Sequence, residues 1–187
     1  MIYVFLANGF EEVEALIPVD VLRRSGKDVL TVSINETKEV TAAHGVTVIA
    51  DTLYGDNDYS EAELLFLPGG LPGSQYLADH EALAEELIKR NEKGGLIAAI
   101  CAAPALVLGK HGIVNGKRAT CYPGCESQMT GAEYTGELVT VDGNIVTGEG
   151  PAAAFPFAYT LAGMLAGEEV AEAVAEGMRF KHLMENK

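Results

Sequence analysis

Short apolar runs alternate along this chain with longer stretches that carry a helical period. Four runs bounded by turn residues predict buried strands, at residues 4–6, 29–32, 64–67 and 96–100. Helical periodicity fills residues 11–24 and 81–93, and glycines follow both stretches. Because parallel strands need crossovers that cover the faces of their sheet, this alternation predicts an α/β fold, a mainly parallel sheet with helices on both faces.

The remaining segments fit the same class of fold. Residues 138–141 and 144–147 flank Asp142-Gly143, a strong hairpin signal, and residues 40–41 and 46–49 predict a smaller strand pair around His44-Gly45. Residues 152–165 and 168–178 predict two helices, followed by a hydrophilic tail. The chain shows no repeat, low-complexity segment or linker, so we expect a single domain spanning residues 1–187.

Charge and hydropathy exclude several classes of protein. A net charge of −14 repels phosphate backbones and anionic lipid surfaces, so we expect neither a nucleic acid nor a membrane as partner. The longest apolar run, residues 96–108, contains Pro104 and is shorter than the roughly 20 residues that span a bilayer. The first residues lack the basic segment of a secretory signal, and three cysteines do not make a disulfide framework in a chain of this size. These features predict a cytoplasmic protein with at least one free thiol.

A cysteine flanked by alanines stands where the strand at residues 96–100 ends. Because Pro104 fits the first turn of a following helix, the sequence after Cys101 predicts a strand-to-helix elbow. Such an elbow holds a nucleophile in a strained backbone conformation at the carboxyl end of the sheet, where a helix N-terminus favours its thiolate. The alternative interpretation is that Cys101 is a small buried hydrophobic residue.

Two further segments follow strands and can supply what a nucleophile needs. The glycines of residues 68–74 let backbone amides turn toward developing negative charge, although an ordinary glycine-rich turn explains them equally well. Glu11 and Glu12 suit the first turn of a helix, where acidic residues complement the macrodipole. Glu14 lies one turn after Glu11 and can face inward. A buried carboxyl there has a raised pKa and, when protonated, donates a hydrogen bond to a thiolate.

Together the three segments resemble the ThiJ/PfpI superfamily, and specifically its DJ-1 branch. The likeness rests on the acidic helix start, on LPGG at residues 67–70 and on AAICAAP at residues 98–104, and it extends to residues 17–26 and 148–151. The resemblance implies a flavodoxin-like three-layer sandwich and a homodimer that needs no metal or other cofactor. For the site it implies Cys101 as the reactive thiol, Glu14 as its protonated partner, and the amides of Gly70 and Ala102 at the oxyanion position. Further pocket residues are expected at Gly69, Tyr122, His44, Gly150 and Pro151.

The chain departs from relatives of this family at three positions. Ala102 follows the cysteine where the proteolytic branch carries histidine, which argues against a protease. Tyr122 replaces a histidine that precedes proline in many DJ-1-like sequences, and a phenol cannot replace imidazole as a base at neutral pH. His44 aligns with an arginine that the family often supplies from the partner subunit. Acid–base work is therefore expected to fall mainly on Glu14.

Cys121 and Cys125 flank Tyr122-Pro123-Gly124, a spacing that suits a metal or a redox pair. No second ligand pair accompanies them and Pro-Gly favours a turn, so we expect no metal; Cys121 as a resolving thiol near Cys101 is an alternative.

Two hypotheses for function follow from the resemblance and from Cys101. The first is a cysteine-dependent, cofactor-free enzyme acting on small aldehydes or glycated substrates, of the glyoxalase or deglycase type, which protects against carbonyl and oxidative stress. The second is a redox-sensing or chaperone-like protein in which Cys101 is oxidised with little catalysis, since a reactive thiolate is also what oxidation requires. A non-catalytic interaction module with an inert, buried thiol is a third interpretation.

Overall fold

The computed structural model describes residues 1–185 and places seven strands in one sheet. In chain order these strands are β1 (Ile2–Leu6), β2 (Val29–Ser33), β5 (Thr52–Leu53), β6 (Leu64–Leu67), β7 (Ile97–Ile100), β10 (Val139–Asp142) and β11 (Ile145–Gly148). Their spatial order is β10-β11-β7-β6-β1-β2-β5, and every neighbouring pair is parallel except β10 with β11. Two short pairs lie outside this sheet: β3 (Glu39–Thr41) with β4 (Thr47–Ile49), and β8 (Arg118–Ala119) with β9 (Glu133–Tyr134).

Helices cover both faces of the sheet. They are α1 (Glu12–Arg24), α2 (Gly73–Asp79), α3 (Glu81–Glu92), α4 (Ala154–Ala166), α5 (Glu168–Gly177) and α6 (Phe180–Glu185), and a π-helical segment spans Pro104–Gly109. Apolar residues of α1, α4 and α5 form a cluster on one face, and those of α2, α3 and Pro104–Gly109 form a cluster on the other. The predicted mainly parallel α/β sandwich is confirmed.

The central strands are buried on both faces, which explains why their sequences are continuously apolar. Successive residues of a strand point to opposite faces, so neighbouring residues of one strand belong to different clusters. Phe66 packs against Phe157 of α4 with ring centroids 5.4 Å apart, whereas Leu65 belongs to the cluster on the opposite face. This double burial fixes the sheet between its helices and holds the strand ends in position.

The sequence missed helices α2 and α6 and the two-residue strands β5, β8 and β9, and it predicted the other α-helices and strands. Helix α2 begins directly after the glycine-rich loop, and it is stabilised by burying Leu77 and Ala78 rather than by a long helical period. The segment after α5, expected to be a hydrophilic tail, contains α6. Its one aromatic ring, Phe180, lies 5.7 Å from Phe155 and 5.0 Å from Tyr159, measured between ring centroids.

The sheet order places a switch point beside β1. The chain passes from β1 to β2 on one side and then to β6 and β7 on the other, so crossovers diverge at the carboxyl ends of β1 and β6. Ligand sites of open α/β sheets form at such crevices. Among residues 1–185, none of the helices has both the length and the apolar character required to cross a membrane.

Candidate active site

Cys101 occupies a strained elbow directly after β7. Its φ angle of 65° lies in the left-handed region. Within residues 1–185, the other non-glycine residue with a positive φ angle is Arg179. The Cys101 N–H donates to the carbonyl of Gly148 at 2.9 Å, and its carbonyl accepts from the N–H of Tyr122 at 2.8 Å. The left-handed backbone conformation costs a non-glycine residue about 1–3 kcal/mol, and it persists only where the surroundings fix it. These two hydrogen bonds fix the thiol at the carboxyl edge of the sheet, as the sequence predicts.

Glu14 projects from the first turn of α1 into the same place. Its side chain is fully buried, and Oε2 accepts a hydrogen bond from the Gly69 N–H at 2.9 Å. Oε1 has no partner of ordinary hydrogen-bond geometry among residues 1–185. The Cys101 thiol is the neighbouring side chain with which the Glu14 carboxyl interacts. Glu11 has a structural role here, since its Oε2 accepts from the Glu14 N–H at 2.8 Å and caps the helix.

Gly69 is the position that lets these two side chains meet. A Cβ atom there would lie 2.5 Å from Glu14 Oε2 and 2.6 Å from Cys101 Cβ, closer than real side chains pack. Gly70 follows with a φ of 91° and turns its amide toward the sulfur of Cys101, as does Ala102. The structure therefore brings Cys101, Glu14, Gly69, Gly70 and Ala102 together.

The electrostatics of the pair differ in one respect from the sequence expectation. Burial, reinforced by the charge of Glu11, raises the pKa of Glu14 from 4.5 to about 7, although the interaction with the Cys101 thiol and the hydrogen bond from the Gly69 N–H oppose the rise. Burial and the neighbouring Glu14 carboxylate also raise the pKa of Cys101, while the amides of Gly70 and Ala102 lower it. The expected lowering of the thiol pKa is therefore wrong, because burial disfavours the thiolate and the Glu14 carboxylate would place a second negative charge beside it.

A cavity of about 380 Å³ opens above the sulfur. It is lined by Glu11, Ala43, His44, Gly70, Leu71, Cys101, Ala102, Tyr122 and Cys125. Cys101 is 8% exposed at the base of the cavity, and Tyr122 is half-exposed at its side. A larger depression of about 560 Å³ between α4, α5 and α6 is lined mainly by apolar groups and holds no thiol.

Other residues singled out from the sequence lie at varying distances from the thiol. His44 is at the cavity, whereas Gly150 and Pro151 line an adjoining depression on the far side of Tyr122. Cys121 is fully buried, and its thiol donates to the carbonyl of Tyr122 at 3.5 Å. The Cys125 N–H donates to the Tyr122 carbonyl and closes a turn. Cys125 is the second cysteine that lines the cavity.

One group of potential metal ligands lies beside the cavity. Donor atoms of Glu11, Glu12 and His44 lie within 4.8 Å of one another. These atoms already have protein partners, since Glu11 caps α1 and Glu12 binds both the backbone and the ring of His44. The arrangement is accounted for by these hydrogen bonds.

Comparisons with known proteins find chains of similar sequence and similar fold. A model of the DJ-1/PfpI family matches residues 1–164. Protein DJ-1 homolog B of Arabidopsis thaliana is 42% identical over 91% of this chain, which spans only 39% of that longer protein. A Caenorhabditis elegans protein named glutathione-independent glyoxalase DJR-1.2 is 35% identical, over 85% of this chain and 84% of its own length. The crystal structure of Drosophila melanogaster DJ-1beta is 38% identical and superposes with a TM-score of 0.90, covering 95% of this chain and 96% of that one.

Proposed function

The chain belongs to the DJ-1/PfpI family, and from this membership we propose that it is a cofactor-free enzyme that converts reactive carbonyl compounds through Cys101. The substrates are glyoxals such as methylglyoxal, with early glycation adducts as related substrates, and the products of glyoxals are hydroxy acids. The observation that carries the proposal is the contact of Cys101 with the buried carboxyl of Glu14 beneath the amides of Gly70 and Ala102. The relative named as a glyoxalase, 35% identical, supports the same chemistry.

In the first step the sulfur of Cys101 adds to the aldehyde carbon. The thiol proton passes to Glu14, a carbon–sulfur bond forms, and the former carbonyl oxygen carries the negative charge. The amides of Gly70 and Ala102, which already point at the sulfur, stabilise that oxygen. A carboxyl whose pKa is about 7 is present in both protonation states at neutral pH, so it can act as acceptor and as donor of a proton within one reaction cycle.

In the second step Glu14 moves a proton between carbons. It first returns the thiol proton to the charged oxygen, which becomes a hydroxyl, and as a carboxylate it then removes the hydrogen from the carbon that carries sulfur and delivers it to the adjacent carbon. The hydroxyl proton moves to the oxygen of that adjacent carbon, whose carbonyl becomes a hydroxyl while the first carbon becomes a thioester. Water then adds to the thioester, the carbon–sulfur bond breaks, and the hydroxy acid leaves with regeneration of the thiol. Atoms and electrons balance without an external oxidant, because one carbon is oxidised as its neighbour is reduced.

The test compares two thiols of one cavity. Cys101→Ser is expected to lose methylglyoxal turnover by at least about 100-fold, because a hydroxyl is a far weaker nucleophile at neutral pH. Cys125→Ser removes the other thiol that lines the cavity and is expected to keep turnover. Disappearance of methylglyoxal and formation of lactate measure both, and full turnover by Cys101→Ser would overturn the proposal.

A second candidate function is redox sensing, favoured by the unpartnered Oε1 of Glu14. Two equivalents of peroxide oxidise a thiol to a sulfinate, whose oxygens accept hydrogen bonds from a protonated carboxyl and from backbone amides. Intact mass after mild peroxide distinguishes the two functions. Two added oxygens on Cys101, in a protein without methylglyoxal turnover, would favour sensing; turnover with loss of activity on oxidation would favour the enzyme.

We further propose that the protein is a cytoplasmic homodimer. Helix α1 exposes Val13 and Leu16, which are 42% and 38% accessible, and the β3–β4 hairpin exposes Val46 and Ile49. Such apolar side chains suit an interface between two copies. Sedimentation at micromolar concentration is expected to show a dimer that Leu16→Glu weakens, and a parent that sediments as a monomer would refute the assembly. The three free cysteines suit a reducing compartment.

A further inference from the structure

Glu12 orients the imidazole of His44 at the rim of the Cys101 cavity. One carboxylate oxygen accepts from the His44 backbone N–H at 2.9 Å, and the other lies 2.9 Å from ring atom Nδ1. Because hydrogen bonds from His44 lower the pKa of Glu12 despite its burial, Glu12 is ionised at neutral pH and can only accept. Nδ1 therefore carries a hydrogen, and the lone pair of neutral His44 resides on Nε2, which makes no hydrogen bond within residues 1–185.

The loop that carries His44 is held against the rest of the site. The neighbouring Ala43 N–H donates to the carbonyl of Phe10 at 2.7 Å, which ties the loop between β3 and β4 to the segment before α1. Both Ala43 and His44 line the cavity with Cys101. A carboxylate that orients one imidazole nitrogen while the other stays available is the arrangement that general-base histidines use.

His44 and Glu14 differ in their access to solvent. The His44 side chain lines the mouth of the cavity and is 74% exposed in a single copy of the chain, whereas Glu14 is fully buried and one of its oxygens is held by Gly69. Glu14 can exchange protons with a substrate bound on Cys101 but not directly with bulk water. The proposed reaction ends in a hydrolysis, which needs a base at a place where water enters.

We infer that His44, positioned by Glu12, is the general base that activates water to hydrolyse the thioester on Cys101. This inference rests on the proposed function and adds a catalytic residue to it. Nε2 takes a proton from water as the oxygen bonds to the thioester carbon, and the negative charge moves to the oxygen beside the Gly70 and Ala102 amides. The carbon–sulfur bond then breaks, and the proton on Nε2 passes to the sulfur of Cys101.

The charges around His44 strengthen it as a base. The hydrogen bond and the charge of Glu12, with a further contribution from Glu11, raise the pKa of His44. The ionisable groups that face it across the cavity are Cys101, Tyr122 and Cys125, all neutral or negative. Among the described residues no lysine or arginine lines this cavity, so no positive charge on its walls opposes protonation of the ring.

The experiment separates hydrolysis from the earlier steps. His44→Ala is expected to lower methylglyoxal turnover about 100-fold, the usual contribution of one general base. Its Cys101 is expected to react with iodoacetamide at the parent rate, and it should accumulate a covalent adduct with the full mass of one substrate that hydroxylamine releases. Added imidazole should restore part of the turnover, and Glu12→Gln should show a smaller loss, about 10-fold.

His111→Gln is the matched control, because that ring binds the Ala78 carbonyl at 3.0 Å outside the Cys101 cavity. Turnover of His44→Ala equal to that of this control would overturn the inference while leaving the proposed function intact. Loss of turnover in His44→Ala without an adduct would also overturn it, since the defect would then precede hydrolysis. A parent without turnover, or a fully active Cys101→Ser, would overturn both.

Discussion

Replacing Glu14 by glutamine is expected to change how the stability of the protein depends on pH. Burial raises the pKa of this carboxyl from 4.5, its value in an unfolded chain, to about 7 in the folded protein. Below pH 4.5 both states hold the proton and the group adds no pH dependence. Between pH 4.5 and 7 the folded protein keeps a proton that the unfolded chain has lost. The free energy of unfolding therefore falls as pH rises through this interval.

The size of the effect follows from the two pKa values. At 1.36 kcal/mol for each pH unit, the rise from 4.5 to about 7 lowers the stability of the parent by about 3 kcal/mol above pH 7. Glutamine does not ionise. Its amide brings its own cost at the position of the unpartnered Oε1, but that cost is the same at every pH and cancels when two pH values are compared. Glu14→Gln should therefore gain about 3 kcal/mol relative to the parent between pH 4 and pH 8.

Urea unfolding of the parent and of Glu14→Gln across this range measures the gain directly. Glu36→Gln, at an exposed site, serves as the control and should follow the parent at every pH. The same pair of measurements in a Cys101→Ala background shows how much of the effect depends on the neighbouring thiol. A difference between Glu14→Gln and parent that stays constant from pH 4 to pH 8 would refute the argument that Glu14 is a buried carboxyl of raised pKa.

Two further substitutions test the packing that holds the site. Gly69→Ala places a methyl group 2.5 Å from Glu14 Oε2 and 2.6 Å from Cys101 Cβ. It should lower the free energy of unfolding in urea by about 1–3 kcal/mol and slow alkylation of Cys101, whereas Gly177→Ala, with open space around it, should do neither. Phe157→Ala removes a fully buried ring and should cost about 3–5 kcal/mol by urea unfolding. A cost below about 1 kcal/mol would mean that the core under α4 collapses around the gap.

Strands that are buried from both sides could be predicted from the sequence. Strands β6 and β7 have no exposed face, so their sequences are apolar throughout and bounded by turn residues. The parallel order then brings the ends of β1, β6 and β7 to one edge, which is why Cys101, Glu14 and Gly69 could be expected together. Helix α6 could not be predicted, because one aromatic ring, Phe180, docks it and the rest of the segment is hydrophilic.

The location of His44 lay beyond a reading of local sequence. The loop between β3 and β4 has no period, and its position depends on contacts with residues more than 30 positions away, namely Phe10 and Glu12. Local sequence predicts only a general role for Glu12 at a helix N-terminus, whereas in the fold its carboxylate binds His44. Cys125 was weighed only as part of a pair with Cys121, and the direction of its side chain follows from the turn at Tyr122. Long-range hydrogen bonds of this kind leave no pattern in a single sequence.

Stability alone cannot account for the chemistry of residue 14. Above pH 7 the buried carboxyl destabilises the folded protein by about 3 kcal/mol relative to a neutral group of the same shape. The left-handed backbone of Cys101, beside Glu14, adds about 1–3 kcal/mol of strain. Gly69 and Gly70 meanwhile give up side chains that could have packed there. These three unfavourable features surround one sulfur atom. The Glu14 carboxylate raises the pKa of the Cys101 thiol, and the amides of Gly70 and Ala102 lower it. A core selected for packing would hold glutamine or leucine at residue 14, whereas a buried carboxyl beside a thiol is what the proposed proton transfer at Cys101 requires.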